Sequence, residues 1–158
     1  MPEDDLKHLD IREVRVGDLM DVFPQTEPVA VRKDTSLKDV TDAMIDKSRS
    51  RKVYVVDENR KLLGTITFET LLRHAGYQLG VRKTGVTSFL RMLKEIGEEK
   101  ASEVMTPPVK VLREELVVNA MKLMVEYHLN DLPVVDEKGR LIGELNGLDV
   151  LRYAREKA

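Results

Sequence analysis

The sequence predicts an α/β protein built from one small β-α-β-β-α unit used twice, the two copies packing as a pseudo-twofold sandwich with a helix inserted between them. Three observations predict it. Val53-Tyr54-Val55-Val56-Asp57-Glu58 and the following Leu62-Leu63-Gly64 return as Leu132-Pro133-Val134-Val135-Asp136-Glu137 and Leu141-Ile142-Gly143, at a constant offset of 79. Held from Leu37–Leu72 against Leu116–Leu151, that offset gives 8 identities in 36 positions, 7 of them in the second half, a clustering that argues against chance. The chain of 158 residues is 42% hydrophobic and 34% charged, enough for one soluble core. A unit of roughly 60 residues buries too little surface alone, so two copies are expected to share that core.

Each element has its own warrant. Val29-Ala30-Val31 and Val109-Lys110-Val111, both after Pro-containing loops, read as short opening strands. Leu37, Val40 and Met44 recur at helical spacing, as do Leu116, Ala120, Leu123 and Tyr127. Val53–Val56 is a β-branched and aromatic run, Asp57–Lys61 a charged turn and Leu62–Ile66 a second apolar run, which together read as a hairpin. In the second copy Gly139 supplies the positive φ that such a turn often needs. Thr67 and Asn146 are good N-cap residues for helices carrying Leu71 and Leu72, or Val150 and Leu151.

Between the copies, three glycines predict a loop over Gly76–Gly85, and Val86, Phe89, Leu90, Leu93 and Ile96 predict an amphipathic helix over 86–98. The chain thus divides into an N-terminal extension (1–15), a first repeat (16–75), a loop and inserted helix (76–99) and a second repeat (100–158).

Composition removes several function classes. The 26 Lys and Arg are balanced by 28 Asp and Glu, so no strongly basic surface marks a nucleic-acid binder. Arg49, Arg51, Lys52 and Lys83 form local basic clusters without the interleaved aromatics of a stacking platform. The absence of Cys removes thiol nucleophiles, disulfides and Cys-ligated zinc. His8, His74 and His128 are scattered, which predicts no metal site, and no nucleophile–base pair or phosphate-cradling glycine motif points to an enzyme. The acidic start is neither signal nor transit peptide, and no stretch approaches the ~20 apolar residues of a spanning helix. The expectation is a cytoplasmic protein without a membrane segment. Met121 and Met124 are expected in the core or in dimer packing.

Taken in order, these motifs resemble the paired cystathionine-beta-synthase domains, called CBS domains or, as a pair, a Bateman module. The resemblance runs from Val16-Gly17-Asp18-Leu19-Met20 to Leu151. It rests on the openings Asp18-Leu19-Met20 and Glu103-Val104-Met105-Thr106-Pro107-Pro108, on the strands Val53–Asp57 and Leu132–Asp136, and on Gly64 and Gly143. It implies two sheets flanking clefts that hold AMP, ADP, ATP or S-adenosylmethionine, a sensing role without chemistry, a homodimer formed by packing of the repeats, and a protein partner left unidentified. The alternative within the same family is a non-catalytic interaction or scaffold protein that has lost its nucleotide.

The family's ribose signature is a Ser or Thr followed three positions later by Asp, just after the third strand. An ionised carboxylate only accepts hydrogen bonds, so two vicinal hydroxyls can fork onto it. Here the signature is split: Thr67-Phe68-Glu69-Thr70 keeps the hydroxyl, and Asn146-Gly147-Leu148-Asp149 keeps the carboxylate. The resemblance makes Asp149, with Asn146, the leading ribose candidate, and Thr67 with Thr70 its counterpart; Asn146 with Asp149 reads equally as a helix cap, and for Thr67 with Thr70 capping alone is the favoured reading. Arg51 and Lys52 stand where the family often places phosphate-binding residues, and a solvated helix-end cluster is the alternative. Thr106, Val109 and Leu132 would line the adenine side of the Asp149 cleft, or serve as ordinary loop and core packing.

Overall fold

The computed structural model describes residues 9–81 and 98–157, with side chains in 75–81 excepted. The chain carries α1 (Val16–Val22), β1 (Ala30–Arg32), α2 (Leu37–Lys47), β2 (Lys52–Val56), β3 (Leu62–Thr67) and α3 (Phe68–Val81). After the connection come α4 (Ala101–Val104), β4 (Val111–Leu112), α5 (Val117–Glu126), β5 (Asp131–Val135), β6 (Leu141–Asn146) and α6 (Gly147–Lys157). The expected β-α-β-β-α order is therefore present in both copies.

The sheets have the same topology: β1-β2-β3 and β4-β5-β6, each with a parallel pair followed by an antiparallel hairpin. A parallel pair needs a crossover, which α2 and α5 supply. Even the irregularities repeat, since the register slips between Val55 and Val56 and again between Val134 and Val135. Asp57 Oδ1 accepts from the backbone N–H groups of Asn59 and Lys61, and Asp136 Oδ1 from those of Lys138 and Arg140, so one carboxylate organises each turn. Gly139 has φ 79°, and Arg60 takes the same place in the first copy at φ 67°.

Two compact units result, and they are not the two sequence repeats: one joins residues up to Pro28 to Val109 onward, the other is Val29–Pro108. In the first unit, Val14, Val16, Leu19 and Met20 pack with Val111, Val117, Leu132, Val134, Leu145 and Val150. The backbone joins them as well, from Val16 N to Glu115 O and from Val117 N to Val14 O at 2.9 and 2.8 Å. The other unit mirrors this, with Ala101 buried among Leu37, Val40, Val53, Val55 and Ile66, and Val104 and Met105 packed against them. The leading segment of each repeat thus completes the core of the other repeat's sheet. Among the described residues the buried apolar side chains form one cluster in each unit, because each sheet and its crossover helix leave an apolar face that the exchanged segment covers.

Four local expectations change. Backbone helix continues through Gly76 and Gly80 to Val81, where a loop was expected; a glycine inside a helix costs only about 1 kcal/mol, which the residues around it can outweigh. The remainder of that loop, 82–85, and the helix expected over 86–98, all but Glu98, lie outside the described residues. The second opening strand forms at Val111–Leu112 rather than at 109–111, in register with Val134 and Val135. Tyr127, expected on the helix face, is instead the C-cap of α5 and half exposed, and His128 at φ 55° turns the chain out of the helix.

Candidate functional site

Each copy has one joint where the last strand turns directly into a helix, and the split signature falls on these joints. The start of each helix is tied to the residue before the central strand: Phe68 N donates to Arg51 O at 2.9 Å, and Gly147 N to Asn130 O at 2.8 Å. A Cβ at Gly147 would stand 2.7 Å from the Asn130 carbonyl oxygen, so glycine is needed for that approach. Lys52 pairs in register with Thr67, and Asp131 with Asn146.

At the second joint Asn146 caps α6, its Oδ1 accepting from Leu148 N at 2.8 Å. Asp149 turns inward, its side chain only 10% exposed, and Oδ1 accepts from Arg152 Nη1 at 3.1 Å. Burial raises the Asp149 pKa above the ordinary carboxylate value, and the Arg152 guanidinium opposes that rise. Arg152 was not foreseen; the i,i+3 spacing of acid and base on one helix was the available signal.

At the first joint the chemistry differs. Thr67 Oγ1 accepts from Thr70 N at 3.1 Å and shares a further hydrogen bond with Thr70 Oγ1 at 3.0 Å. The Thr67 hydroxyl thus caps α3, and the Thr70 hydroxyl bonds to it. Arg51 is exposed, held at φ 59°, whereas Lys52 is buried at 7% exposure and already has an interaction partner.

The expected site residues fall into both compact units. Asp149, Asn146, Val109 and Leu132 belong to one, where Leu132 is wholly buried and Val109 packs beside it in the core. Thr67, Thr70, Arg51, Lys52 and Thr106 belong to the other. There Thr106 forms a reciprocal backbone bridge with Thr65, both bonds 3.0 Å, and its Oγ1 donates to Thr65 O at 3.2 Å. Among the described residues no cluster of three or more metal-ligating side chains forms, and no helix is long and apolar enough to cross a membrane.

The CBS domain model matches residues 16–77 and 101–156. A CBS domain-containing protein from Thermotoga maritima is similar at 30% identity and TM-score 0.69, covering 87% of this chain and 92% of that one. CBSX2 of Arabidopsis thaliana, in a crystal structure in complex with AMP, is similar at 27% identity and TM-score 0.68, covering 90% of this chain and 96% of that one. The cytosolic domain of the Mg2+ channel MgtE, in complex with ATP, is similar at 28% identity and TM-score 0.57 over 79% of this chain, which spans 44% of that one. The MgtE of Thermus thermophilus is 30% identical over 137 residues, covering 84% of this chain and 26% of that protein.

Proposed function

This chain belongs to the CBS-domain family, and from that membership we propose that it is a regulatory module that binds an adenine nucleotide and passes its occupancy to a protein partner. The observation that carries the reading is Asp149, a buried carboxylate at the opening of α6, on the position that matches the family's ribose acceptor. A carboxylate largely removed from water costs stability that its one bond from Arg152 offsets only in part; a ribose diol would give it two further hydrogen-bond donors. The AMP in CBSX2 and the ATP in MgtE support the ligand class.

The proposed signal is a shift between two states of the paired repeats, limited in size by the difference in nucleotide affinity between them. The proposed assembly is a homodimer in the cytoplasm. It is supported by the apolar face of α5, where Val118, Met121 and Val125 line a shallow groove flanked by Lys122 and Glu126.

Equilibrium binding of AMP, ADP, ATP and S-adenosylmethionine to the full chain tests the reading. One of them is expected to bind with Kd tighter than about 1 mM, and Asp149→Ala to weaken it by about 1.5–3 kcal/mol, the worth of a hydrogen bond to a charged group. If all four fail to bind at that level, the sensor reading falls and the non-catalytic scaffold remains.

A further inference from the structure

We infer that the Asn146–Gly147 step is a latent modification site, at which asparagine converts to aspartate or isoaspartate only when the second strand-to-helix joint opens. The inference is independent of the nucleotide reading, because its readouts are mass and backbone protection.

Of the asparagines in the chain, Asn59, Asn119, Asn130 and Asn146, only Asn146 precedes a glycine. The reaction needs the backbone nitrogen of the next residue to reach the asparagine Cγ. A glycine there has no Cβ to obstruct the approach and leaves its backbone the widest choice of conformation. Gly147 N bonds to Asn146 Cγ and gives up its proton, which leaves with the side-chain nitrogen as ammonia. Water then opens the cyclic imide: cleavage at the side-chain carbonyl gives aspartate, and cleavage at the backbone carbonyl gives isoaspartate, whose main chain is longer by a carbon. The net change is water taken up and ammonia released, with no oxidant or reductant.

The fold opposes ring closure through the very atoms that take part. Asn146 ends β6 in register with Asp131 and is exposed to water. Gly147 N–H donates to Asn130 O at 2.8 Å, so the attacking nitrogen keeps its proton in a backbone hydrogen bond. Asn146 Oδ1 accepts from Leu148 N at 2.8 Å, which holds the amide under attack against the first turn of α6. Closure has to break both bonds. The other joint keeps the backbone bond, from Phe68 N to Arg51 O, but carries Thr67 in place of the asparagine, so it has no such chemistry.

The two products act differently on the joint. Aspartate caps a helix about as well as asparagine, so it leaves α6 in place. Isoaspartate lengthens the main chain between strand and helix, so residue 146 can no longer both pair with Asp131 and cap Leu148 N. An opening of the joint is thereby recorded in the covalent chain.

Ageing the full chain at mildly alkaline pH, folded and in urea, with mass spectrometry of the tryptic peptide 141–152, tests this. Replacement of the amide nitrogen by oxygen at Asn146 is expected to be slower in the folded chain by tenfold or more, the factor that an opening free energy of about 1.4 kcal/mol gives. Equal rates would overturn the protection, and faster conversion at Asn59, Asn119 or Asn130 in urea would overturn the choice of site. After refolding, the isoaspartate fraction should lose hydrogen-exchange protection at Leu148 N by tenfold or more relative to chains that keep Asn146. Asn146→Ser taken through the same treatment should retain that protection, since serine also caps a helix. An equal loss there would assign the damage to urea and overturn the part given to residue 146.

Discussion

Met105 covers Gly64 so closely that a methyl group at residue 64 would stand 2.8 Å from the Met105 Cβ. The second sheet has the same arrangement, with Met20 over Gly143, but there the atom in the way is the terminal Cε of Met20. In each case the methionine opening one repeat lies on the hairpin of the other repeat.

The difference between the two contacts predicts unequal costs for one substitution. The end of the Met20 side chain can swing aside, whereas the Met105 Cβ moves only with its backbone. Gly64→Ala should destabilise by about 1–3 kcal/mol and Gly143→Ala by less than about 1 kcal/mol. Urea unfolding of both variants reads the difference directly, and equal costs would contradict the rigid contact at Met105.

The hairpin turns predict a pair of opposite effects. An L-residue in the left-handed region costs roughly 1–2 kcal/mol, and a glycine loses roughly 0.5–1 kcal/mol more backbone entropy on folding. Arg60→Gly should therefore stabilise slightly, by about 0.5 kcal/mol, and Gly139→Ala should destabilise by about 1 kcal/mol. Loss of stability in Arg60→Gly would mean that the Arg60 side chain outweighs its backbone.

Asp149 should show a conflict between stability and binding. Its folded pKa lies above its unfolded value, so stability falls as pH rises through that window, and the penalty is complete above the folded pKa. Asp149→Asn should then melt at a higher temperature than the unmodified protein at pH 7. That advantage should fade as pH falls toward 3.8, where the unfolded carboxylate also protonates. A lower melting temperature at pH 7 would show that the Arg152 pair contributes more than burial costs.

Arg152 is expected to keep Asp149 ionised and oriented. Removing it by Arg152→Leu should cost about 0.5–1 kcal/mol of stability, a modest figure because the guanidinium is 56% exposed. It should also move the acid limit of nucleotide binding to higher pH, because desolvation would then act unopposed. Arg152→Lys should restore most of the profile. An unchanged pH profile in Arg152→Leu would leave Arg152 with a structural part only.

The exposed face of α5 predicts the oligomeric state. Val125 is 76% exposed beside Met121, which favours burial against a second copy. Light scattering should find a dimer, and Val125→Glu should shift it toward monomer; a monomeric unmodified chain would remove the dimer from the proposal.

Much of the architecture was legible in the sequence, because it is carried by short-range patterns. The β2–β3 and β5–β6 hairpins, the burial of Leu37, Val40 and Met44 along α2, and the capping roles of Thr67 and Asn146 follow from spacing and side-chain chemistry within a few residues. Where the expectation missed, as in the glycine-bearing end of α3 or the two-residue displacement of β4, competing local preferences were close in energy and the rest of the fold decided between them.

The sequence by itself determined that one β-α-β-β-α unit occurs twice and that its ribose signature is divided between Thr67-x-x-Thr70 and Asn146-x-x-Asp149. Only the tertiary structure decided that Met20 and Met105 each pack on the opposite repeat's hairpin, that Asp149 is buried against Arg152, and that the Thr67 and Thr70 hydroxyls bond to one another. The physical reason is range. Periodicity and capping act along a few residues of chain, whereas burial and the partner of a buried charge depend on which distant segment supplies the last face of each core.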